Sequence, residues 1–338
     1  MDRRPLLDSL PAAEREKLRR APLPADAEPM KARLGDRPFS DPDWVFERKL
    51  DGIRATVLRD ERGARLITRT GRDVSSSYPE LIEALLEQDP EFAADGEIVA
   101  FEGERTSFER LQGRMGIADP RLARLTGIEV FLYLFDLTHL DGHDLTALGL
   151  RARKALLQEA LAYQGPLGYS PHRDAEGEAM FEEACARGWE GLIAKRAEGP
   201  YVRGRSGDWL KLKCSFEQEL VIGGFTPPKG SRQHLGALLV GYHEEGQLRY
   251  AGKVGTGFSQ RELARLGKLL EARRTDSSPF ARGGGQPRDG RWVRPDLVGQ
   301  FAFGEWTRDG KLRHPRYLGL REDKRAEEVV RERPDEGG

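Results

Sequence analysis

Lysines and carboxylates recur at the ends of short β-prone runs in the middle of this sequence. The first group is Lys49-Leu50-Asp51-Gly52-Ile53-Arg54. Asp95-Gly96-Glu97 precedes an apolar run, and Glu190 and Lys195 stand at the two ends of another. Trp209-Leu210-Lys211-Leu212-Lys213 alternates strictly, so its two lysines point to one face of a strand. Each group alone is typical of an ordinary strand edge, but all of them in this order are hard to obtain by chance.

These residue types suit chemistry on phosphate. Amines neutralise phosphate charge, carboxylate oxygens suit hard cations such as Mg²⁺, and a lysine that has lost its proton is a nucleophile. Such groups must be positioned by strands, and the alternation of apolar and turn residues predicts strands at 44–48, 55–59, 65–70, 98–101, 129–135 and 191–195. Helical spacing of apolar residues predicts helices at 78–88, 151–161 and 176–187. Strands and helices mixed without strict alternation predict an α+β domain built on antiparallel sheets.

A second domain is predicted after Cys214, where the pattern changes to strands and glycines. Strands are expected at 219–225, 235–242, 248–254 and 297–306, with one helix at 260–272, which is typical of a small all-β barrel of the OB type. We therefore expect a leader at 1–40 packing on the first domain, a first domain at 41–214, a second at 215–330 and a disordered tail at 331–338. The stretch 275–290 is expected to form a surface loop.

Composition favours a soluble globular protein. The 338 residues are 38% hydrophobic and 33% charged, with no apolar run long enough for a membrane helix and no signal-peptide core. Two cysteines, Cys185 and Cys214, cannot make a disulfide framework, so we expect a reducing, cytoplasmic location. The net charge of −1 neither supports nor excludes nucleic acid, because basic residues cluster locally near 203–205, 211–213, 313–316 and 321–325.

The order of these groups resembles the covalent nucleotidyltransferase superfamily of ATP-dependent DNA ligases, RNA ligases and capping enzymes. Similarity extends from about residue 29 to about residue 324 and includes Lys49, Asp51, Gly52, Arg54, Arg69, Asp95-Gly96-Glu97, Phe135-Asp136, Glu190, Lys195, Lys211 and Lys213. The chain is most similar to the ligase module of bacterial non-homologous end-joining ligases of the LigD type. The residues that point there are Phe135-Asp136-Leu137, Leu140-Asp141-Gly142, the run 204–209, Leu312-Arg313-His314-Pro315 and the run 320–324.

The resemblance implies a nucleotidyltransferase domain with ATP-grasp-like antiparallel sheets, followed by a mobile OB-fold domain. It also implies that Lys49 carries AMP, taken from ATP, and passes it to the 5′-phosphate of a DNA nick. Attack by Lys49 requires a neutral amine, and an unperturbed lysine with a pKa of about 10.4 is almost fully protonated at pH 7. Positive charge at Arg54, Lys211 and Lys213, together with a metal, would lower that pKa.

The resemblance further assigns roles to individual side chains. Glu97 and Glu190 are expected to bind Mg²⁺ or Mn²⁺, and Glu97 alternatively the ribose. Phe135 would stack on adenine, Glu47 would accept a hydrogen bond from its amino group, and Arg69 and Arg54 would contact ribose or the 5′-phosphate. The remaining nucleotide contacts are expected at Lys195, Lys211, Lys213, Arg321, Asp323 and Lys324. For Phe135, and for the group at 321–324, the alternatives are an ordinary core aromatic and the exposed end of a helix.

Other functions stay open at this point. The alternatives are an RNA ligase, a capping-type guanylyltransferase and a non-catalytic nucleic-acid-binding relative. His139-Leu140-Asp141-Gly142-His143-Asp144 is interpreted as a turn rather than a metal site, and the glycine-rich run 252–257 lacks P-loop spacing. We expect a monomer in the bacterial cytoplasm or nucleoid that acts on nicked double-stranded DNA, binds it weakly and is helped by a partner such as Ku. The Met1 start favours a stand-alone protein over an excised module.

Overall fold

The computed structural model describes residues 4–25, 28–214, 216–228, 234–281, 285–307 and 309–332. Parts of three expected segments lie outside the described residues: 1–3 and 26–27 of the leader, 282–284 of the surface loop, and 333–338 of the tail. The described chain divides into two compact units, the first ending at Cys214 and the second covering the described residues from 216 onward.

The first unit is built from strands with helices packed against them. Its strands are β1 (Arg19–Arg20), β2 (Met30–Leu34), β3 (Trp44–Arg48), β4 (Ile53–Asp60), β5 (Gly63–Thr68), β6 (Phe92–Val99), β7 (Phe101–Glu102), β8 (Arg105–Thr106), β9 (Phe131–Leu140), β10 (His143–Asp144), β11 (Leu167–Tyr169), β12 (His172–Asp174), β13 (Gly191–Arg196) and β14 (Gly204–Lys213). Its helices are α1 (Arg4–Asp8), α2 (Ala12–Arg15), α3 (Pro79–Leu86), α4 (Phe108–Gln112), α5 (Pro120–Leu125), α6 (Leu150–Ala160) and α7 (Gly177–Ala186).

Two large sheets and the small β7–β8 pair form the described part of the first unit. The first sheet has the order β1-β10-β9-β6-β4-β5, and β11 pairs in parallel with β9. The second has the order β12-β3-β13-β14-β2. Its outer face packs against α7, and the apolar side chains there include Trp44, Phe46, Met180, Ala184 and Leu192. The expected leader does more than cap this domain, because β1 pairs with β10 and β2 pairs in parallel with β14.

Helix α6 has an unusual buried face. Its buried residues are Leu150, Arg153, Lys154, Leu156, Leu157 and Ala160. The apolar members recur at helical spacing, which is why the sequence predicts a helix here. Two basic side chains share that buried face, and buried charges require partners.

The predicted strand at 98–101 is placed wrongly by the sequence pattern. β6 spans Phe92–Val99, so Asp95, Gly96 and Glu97 lie inside the strand instead of before it. Asp95 interrupts the apolar pattern because it is acidic. It is nevertheless buried, since Arg54 and Tyr201 donate hydrogen bonds to its carboxylate. The predicted turn at Asp141-Gly142 is confirmed: it joins β9 to β10 with φ values of 43° and 77°.

The second unit is mostly strand. Its strands are β15 (Phe216–Phe225), β16 (Leu238–Glu244), β17 (Gln247–Val254), β18 (Arg274–Thr275), β19 (Arg291–Phe303), β20 (Glu305–Trp306), β21 (Leu312–Arg313) and β22 (Arg316–Leu320). The main sheet has the order β17-β16-β15-β19-β18, with β22 paired to β19. The predicted helix is α8 (Gln260–Glu271), where Ser259 Oγ accepts from the Glu262 N–H at 3.2 Å and Leu263, Leu266 and Leu270 are buried.

The two cysteines are joined in a disulfide, a pairing that the sequence did not predict. Cys185 belongs to α7 and Cys214 directly follows β14, with their Cα atoms 5.3 Å apart. The bond therefore ties α7 to the end of the strand that carries Lys211 and Lys213. Among the described residues, no helix is long and apolar enough to span a membrane.

Candidate active site

Strand register places the predicted lysines on one face of the second sheet. Glu47 and Lys211 lie on either side of the same residue of β13, so their side chains point the same way. In the neighbouring row, Gly191 lies opposite Lys213, and its carbonyl accepts from the Lys49 N–H at 2.9 Å. Lys49, Lys211 and Lys213 therefore cluster at one end of this face, as the sequence predicts.

Lys49 forms an ion pair with Glu190. Its Nζ donates to Glu190 Oε2 at 2.5 Å, and the two side chains are only 20% and 8% exposed. Burial alone would lower the pKa of the Lys49 amine, and so would Lys213, but the Glu190 carboxylate outweighs both and raises it. In this state Lys49 is therefore an ammonium group, and it must lose this pairing before it can act as a nucleophile.

Arg54 is held in place by the first sheet. Its guanidinium makes a bidentate pair with Asp95, from Nε to Oδ1 at 2.8 Å and from Nη2 to Oδ2. The Tyr201 hydroxyl donates to the same Oδ2 at 2.5 Å and accepts from the Met30 N–H at 3.0 Å. Burial would lower the pKa of Arg54, but Asp95 raises it, so the guanidinium stays charged. Tyr201 is a supporting residue that the sequence pattern did not indicate.

Two cations lie against a pair of aromatic rings between the two sheets. Phe135 on β9 and Trp209 on β14 meet edge to face, with ring centroids 6.0 Å apart. Arg54 approaches both rings, at 5.3 and 5.2 Å from their centroids. The Lys195 Nζ lies 4.4 Å from the Phe135 ring and 4.3 Å from the Trp209 ring. Phe135 is 9% exposed and packs with Met30, so in this structure it belongs to a small apolar cluster.

Lys195 lies beside Glu47, at the aromatic end of the site. Its Nζ donates to Glu47 Oε2 at 2.8 Å, and Lys154 Nζ donates to Glu47 Oε1 at 2.7 Å. All three side chains are buried. Burial lowers the pKa of Lys195 to about 8, Glu47 opposes this and Lys154 adds to it. The sequence did not single out Lys154, although a lysine on the apolar face of α6 is a usable signal.

Glu97 lies close to the chain that follows Lys49. A Cβ at Gly52 would come within 2.2 Å of the Ile98 carbonyl oxygen and 3.1 Å of Glu97 Cγ, so only glycine fits there. Arg54 is the direct cross-strand partner of Glu97. Arg69 follows β5 in the tight turn at 68–72, where the Thr68 and Arg72 backbones bond at 2.9 Å.

The carboxylates suit a cation such as Mg²⁺, which needs only one or two protein ligands, better than a metal that is held entirely by protein side chains. No group of three or more His, Cys, Asp or Glu side chains in the described part of the chain could hold a metal. Mg²⁺ is usually bound by one or two carboxylates together with substrate phosphates and water. Glu190, which pairs with Lys49, and Glu97, whose Cγ lies close to Gly52, are carboxylates of this kind.

The expected nucleotide-binding group of the second unit lies in the turn that follows β22. Arg321 directly follows β22 and forms a bidentate pair with Asp323, with both N–O distances at 2.9 Å. Lys324 pairs with Glu219 of β15 at 2.7 Å. Asp323 is 4% exposed. The alternative of an exposed helix end is therefore wrong, because these residues follow a strand and are partly buried.

Comparisons with known proteins agree with this arrangement. The family model described as ATP dependent DNA ligase domain matches residues 28–213, and that described as ATP dependent DNA ligase C terminal region matches residues 231–324. The chain is 38% identical over 324 residues to the multifunctional non-homologous end joining protein LigD of Pseudomonas aeruginosa, covering 93% of this chain and 38% of that protein. It is 40% identical over 302 residues to the LigD DNA repair protein of Mycobacterium tuberculosis, covering 86% and 37%.

A solved structure shows the same fold. The mycobacterial DNA ligase D complexed with ATP and MES superposes with a TM-score of 0.65 at 35% identity, covering 90% of this chain and 98% of that one. The predicted fold class is thereby confirmed: an α+β nucleotidyltransferase domain and an OB-fold domain. The chain spans less than two fifths of the length of these two relatives, at 38% and 37%. These matches favour a DNA ligase over the RNA-ligase and capping alternatives, and the chain belongs to the family of ATP-dependent DNA ligases.

Proposed function

We propose that this chain seals nicks between a 5′-phosphate and a 3′-hydroxyl in double-stranded DNA through an AMP held on Lys49. The observation that carries this proposal is the position of Lys49. It lies beside Glu190 and at the end of the sheet face that also bears Lys211 and Lys213. A nucleophilic amine with two further amines on one face suits attack on a phosphate whose charge must be neutralised.

The proposed first step forms one bond and breaks one. The Lys49 ammonium first loses a proton, and the neutral amine then attacks the α-phosphorus of ATP. The bond to pyrophosphate breaks with its electron pair leaving on the pyrophosphate oxygen, and the nitrogen gives up a second proton to solvent as the lysyl-AMP forms. Lys211 and Lys213 would neutralise the α-phosphate during this transfer, and Arg321 with Lys324 would orient the leaving pyrophosphate. Transfers of this kind depend mainly on positioning and charge neutralisation.

The next two steps return the lysine to its starting form. A 5′-phosphate oxygen of the nick attacks the lysyl-AMP phosphorus, and the P–N bond breaks as the Lys49 nitrogen takes up a proton and leaves as the amine. The 3′-hydroxyl then attacks the 5′-phosphorus, loses its proton, and AMP leaves with the electron pair of the broken bond. In both steps Arg54 and Arg69 would contact ribose or the 5′-phosphate. Arg54 is already oriented for such a role by Asp95.

If Mg²⁺ or Mn²⁺ bound Glu190, the carboxylate would no longer be available to pair with Lys49. The pKa of the Lys49 amine would then fall. Glu97, close to Gly52, is the second proposed ligand and alternatively binds the ribose. Phe135 would stack on the adenine and Glu47 would accept from its amino group. Lys195 would contact the nucleotide at the adenine end of the site, because Lys195 pairs with Glu47.

The test is sealing of a nicked duplex labelled at the 5′-phosphate, with ATP and either cation. Lys49→Ala should abolish sealing. Lys17→Ala is the matched control, because Lys17 also pairs with a glutamate at 2.5 Å but is 41% exposed on the surface. A nick in an RNA duplex and GTP in place of ATP test the two enzymatic alternatives. Sealing by Lys49→Ala, or equal sealing of the RNA nick, would contradict the proposal.

We further propose a cytoplasmic, monomeric protein that acts in end joining, since the relatives named above carry that role in their names. Weak affinity for DNA and stimulation by the end-binding protein Ku are expected. Gel-shift and sealing assays with and without Ku measure both, and tight, efficient sealing that Ku does not change would contradict this part. Disulfides are uncommon in the cytoplasm. Trapping of thiols at cell lysis therefore tests the location, because Cys185 and Cys214 should react as free thiols in a cytoplasmic protein and should not react if they are joined in the disulfide.

A further inference from the structure

The carboxylate of Glu47 is shared between two buried lysines. Lys154 binds Oε1 at 2.7 Å and Lys195 binds Oε2 at 2.8 Å, so each oxygen has its own ammonium donor. The exposed fractions of the three residues are 1–2%. A buried carboxylate with two such donors has a fixed plane, because rotation would break a charge-assisted hydrogen bond.

Further contacts besides the hydrogen bond to Glu47 hold the amine of Lys154 in place. Besides Glu47, its Nζ donates to the Ser170 carbonyl oxygen at 2.8 Å and lies 4.7 Å from the centroid of the Tyr169 ring. An ammonium group has three N–H donors. Two of them are used by Glu47 and Ser170, and Tyr169 covers the amine on a further side. Lys154 comes from α6, outside the sheet that carries Glu47, so it anchors the carboxylate from a separate element.

We infer that Lys154 is a positioning residue that orients Glu47 and thereby sets the preference of this site for adenine over guanine. The inference rests on the proposed function, in which Glu47 accepts from the adenine amino group. Adenine presents an N–H donor at the position where guanine presents a carbonyl oxygen, so a fixed carboxylate attracts the first base and repels the second. A carboxylate that can turn away loses both effects.

The primary test compares ATP and GTP as substrates for the covalent step. Lys154→Met should lower the ratio of kcat/KM for ATP to that for GTP by about tenfold, the size expected from weakening one charged hydrogen bond. Most of the loss should appear as a higher KM for ATP. The variant is expected to fold, since Glu47 keeps a one-to-one pair with Lys195. Lys154→Gln, whose amide can still donate to Ser170, serves if the methionine variant melts below the assay temperature.

Two further variants separate positioning from a general structural role. Arg151→Met removes a cation from the same helix, but Arg151 is 40% exposed and pairs with Asp174 and Glu198, so the ATP-to-GTP ratio should not change. In a Glu47→Gln background, Lys154→Met should have no further effect on the ratio, because Lys154 acts only through that carboxylate.

The outcomes are distinct. An unchanged ATP-to-GTP ratio in Lys154→Met, or an equal loss with both nucleotides, would overturn the inference while the wild-type chain still takes label from ATP. The inference would also be overturned if Lys154→Met lowered the ATP-to-GTP ratio as much in the Glu47→Gln background as in the wild-type chain. Failure of the wild-type chain to take label from either nucleotide would overturn the proposed function and this inference with it.

Discussion

Replacing Asp95 by asparagine should destabilise the first unit more than any comparable surface change. Asp95 is 1% exposed and accepts hydrogen bonds from Arg54 at both oxygens and from Tyr201 at one of them. An asparagine has one oxygen, and its amide nitrogen would face an N–H or O–H donor. The guanidinium of Arg54, whose side chain is only 18% exposed, would keep its charge but lose the carboxylate with which it pairs.

The magnitude follows from burial. Breaking a buried ion pair by removing one partner costs about 3–5 kcal/mol. Because Arg54 is partly exposed, we expect the lower end, about 3 kcal/mol. For a unit of 150–250 residues each kcal/mol shifts Tm by about 2–4 °C, which predicts a fall of about 6–12 °C.

Calorimetry of Asp95→Asn and of Asp174→Asn measures this difference. Asp174 is the matched control, because it also accepts two hydrogen bonds from an arginine, Arg151, but the side chains are 56% and 40% exposed. An exposed pair contributes about 0–1 kcal/mol, so the control should shift Tm by less than about 4 °C. Since the chain has two units, the transition that shifts in Asp95→Asn is assigned to the first. Equal shifts in both variants would refute the reasoning from burial.

Three further predictions follow from the same unit. Reduction of the Cys185–Cys214 bond, which joins residues 29 apart in sequence, should lower the free energy of unfolding by about 3.5 kcal/mol. Cys185→Ser should melt lower and be insensitive to the reductant, and a wild-type chain unaffected by reduction would contradict this. Because the pKa of Lys195 is lowered from 10.5 to about 8, the folded chain loses this proton first. Unfolding free energy should therefore rise between about pH 8 and 10.5 relative to Lys195→Met, measured by urea melts, and parallel curves would disprove it. Since Glu190 raises the pKa of Lys49, Mg²⁺ at Glu190 should speed modification of Lys49 by an amine reagent, followed by peptide mass spectrometry. An unchanged rate would argue against Glu190 as a metal ligand.

Local pattern was enough to place the strands that carry the chemistry. β3 has the bounds 44–48 that its apolar run predicts, and the alternation of Lys211 and Lys213 puts both on one face as expected. These features depend on the side-chain period of a strand, which a sequence shows directly. The roles of single side chains toward ATP and DNA stay predictions.

Pairing between distant segments could not be predicted from the sequence. Arg54 and Asp95 are 41 residues apart, and Tyr201 reaches the same carboxylate from 106 residues away. The strand limits of β6 were misplaced because Asp95 interrupts an apolar run and is polar until its partners are known. Lys154 carried a signal as a charge on the apolar face of α6, but its partner Glu47 is 107 residues away. In each case the role of a buried charged side chain depends on a partner that only the folded chain brings close.

Formation of the lysyl-AMP intermediate tests the central claim most directly. The chain is first treated with pyrophosphate to remove any bound AMP, then incubated with α-³²P-ATP and Mg²⁺ or Mn²⁺ and run on a denaturing gel. Wild type and Lys17→Ala should retain label, Lys49→Ala should retain none, and the label on wild type should move to nicked DNA when it is added. Absence of label from all three proteins, or label that persists in Lys49→Ala, would contradict the proposed chemistry.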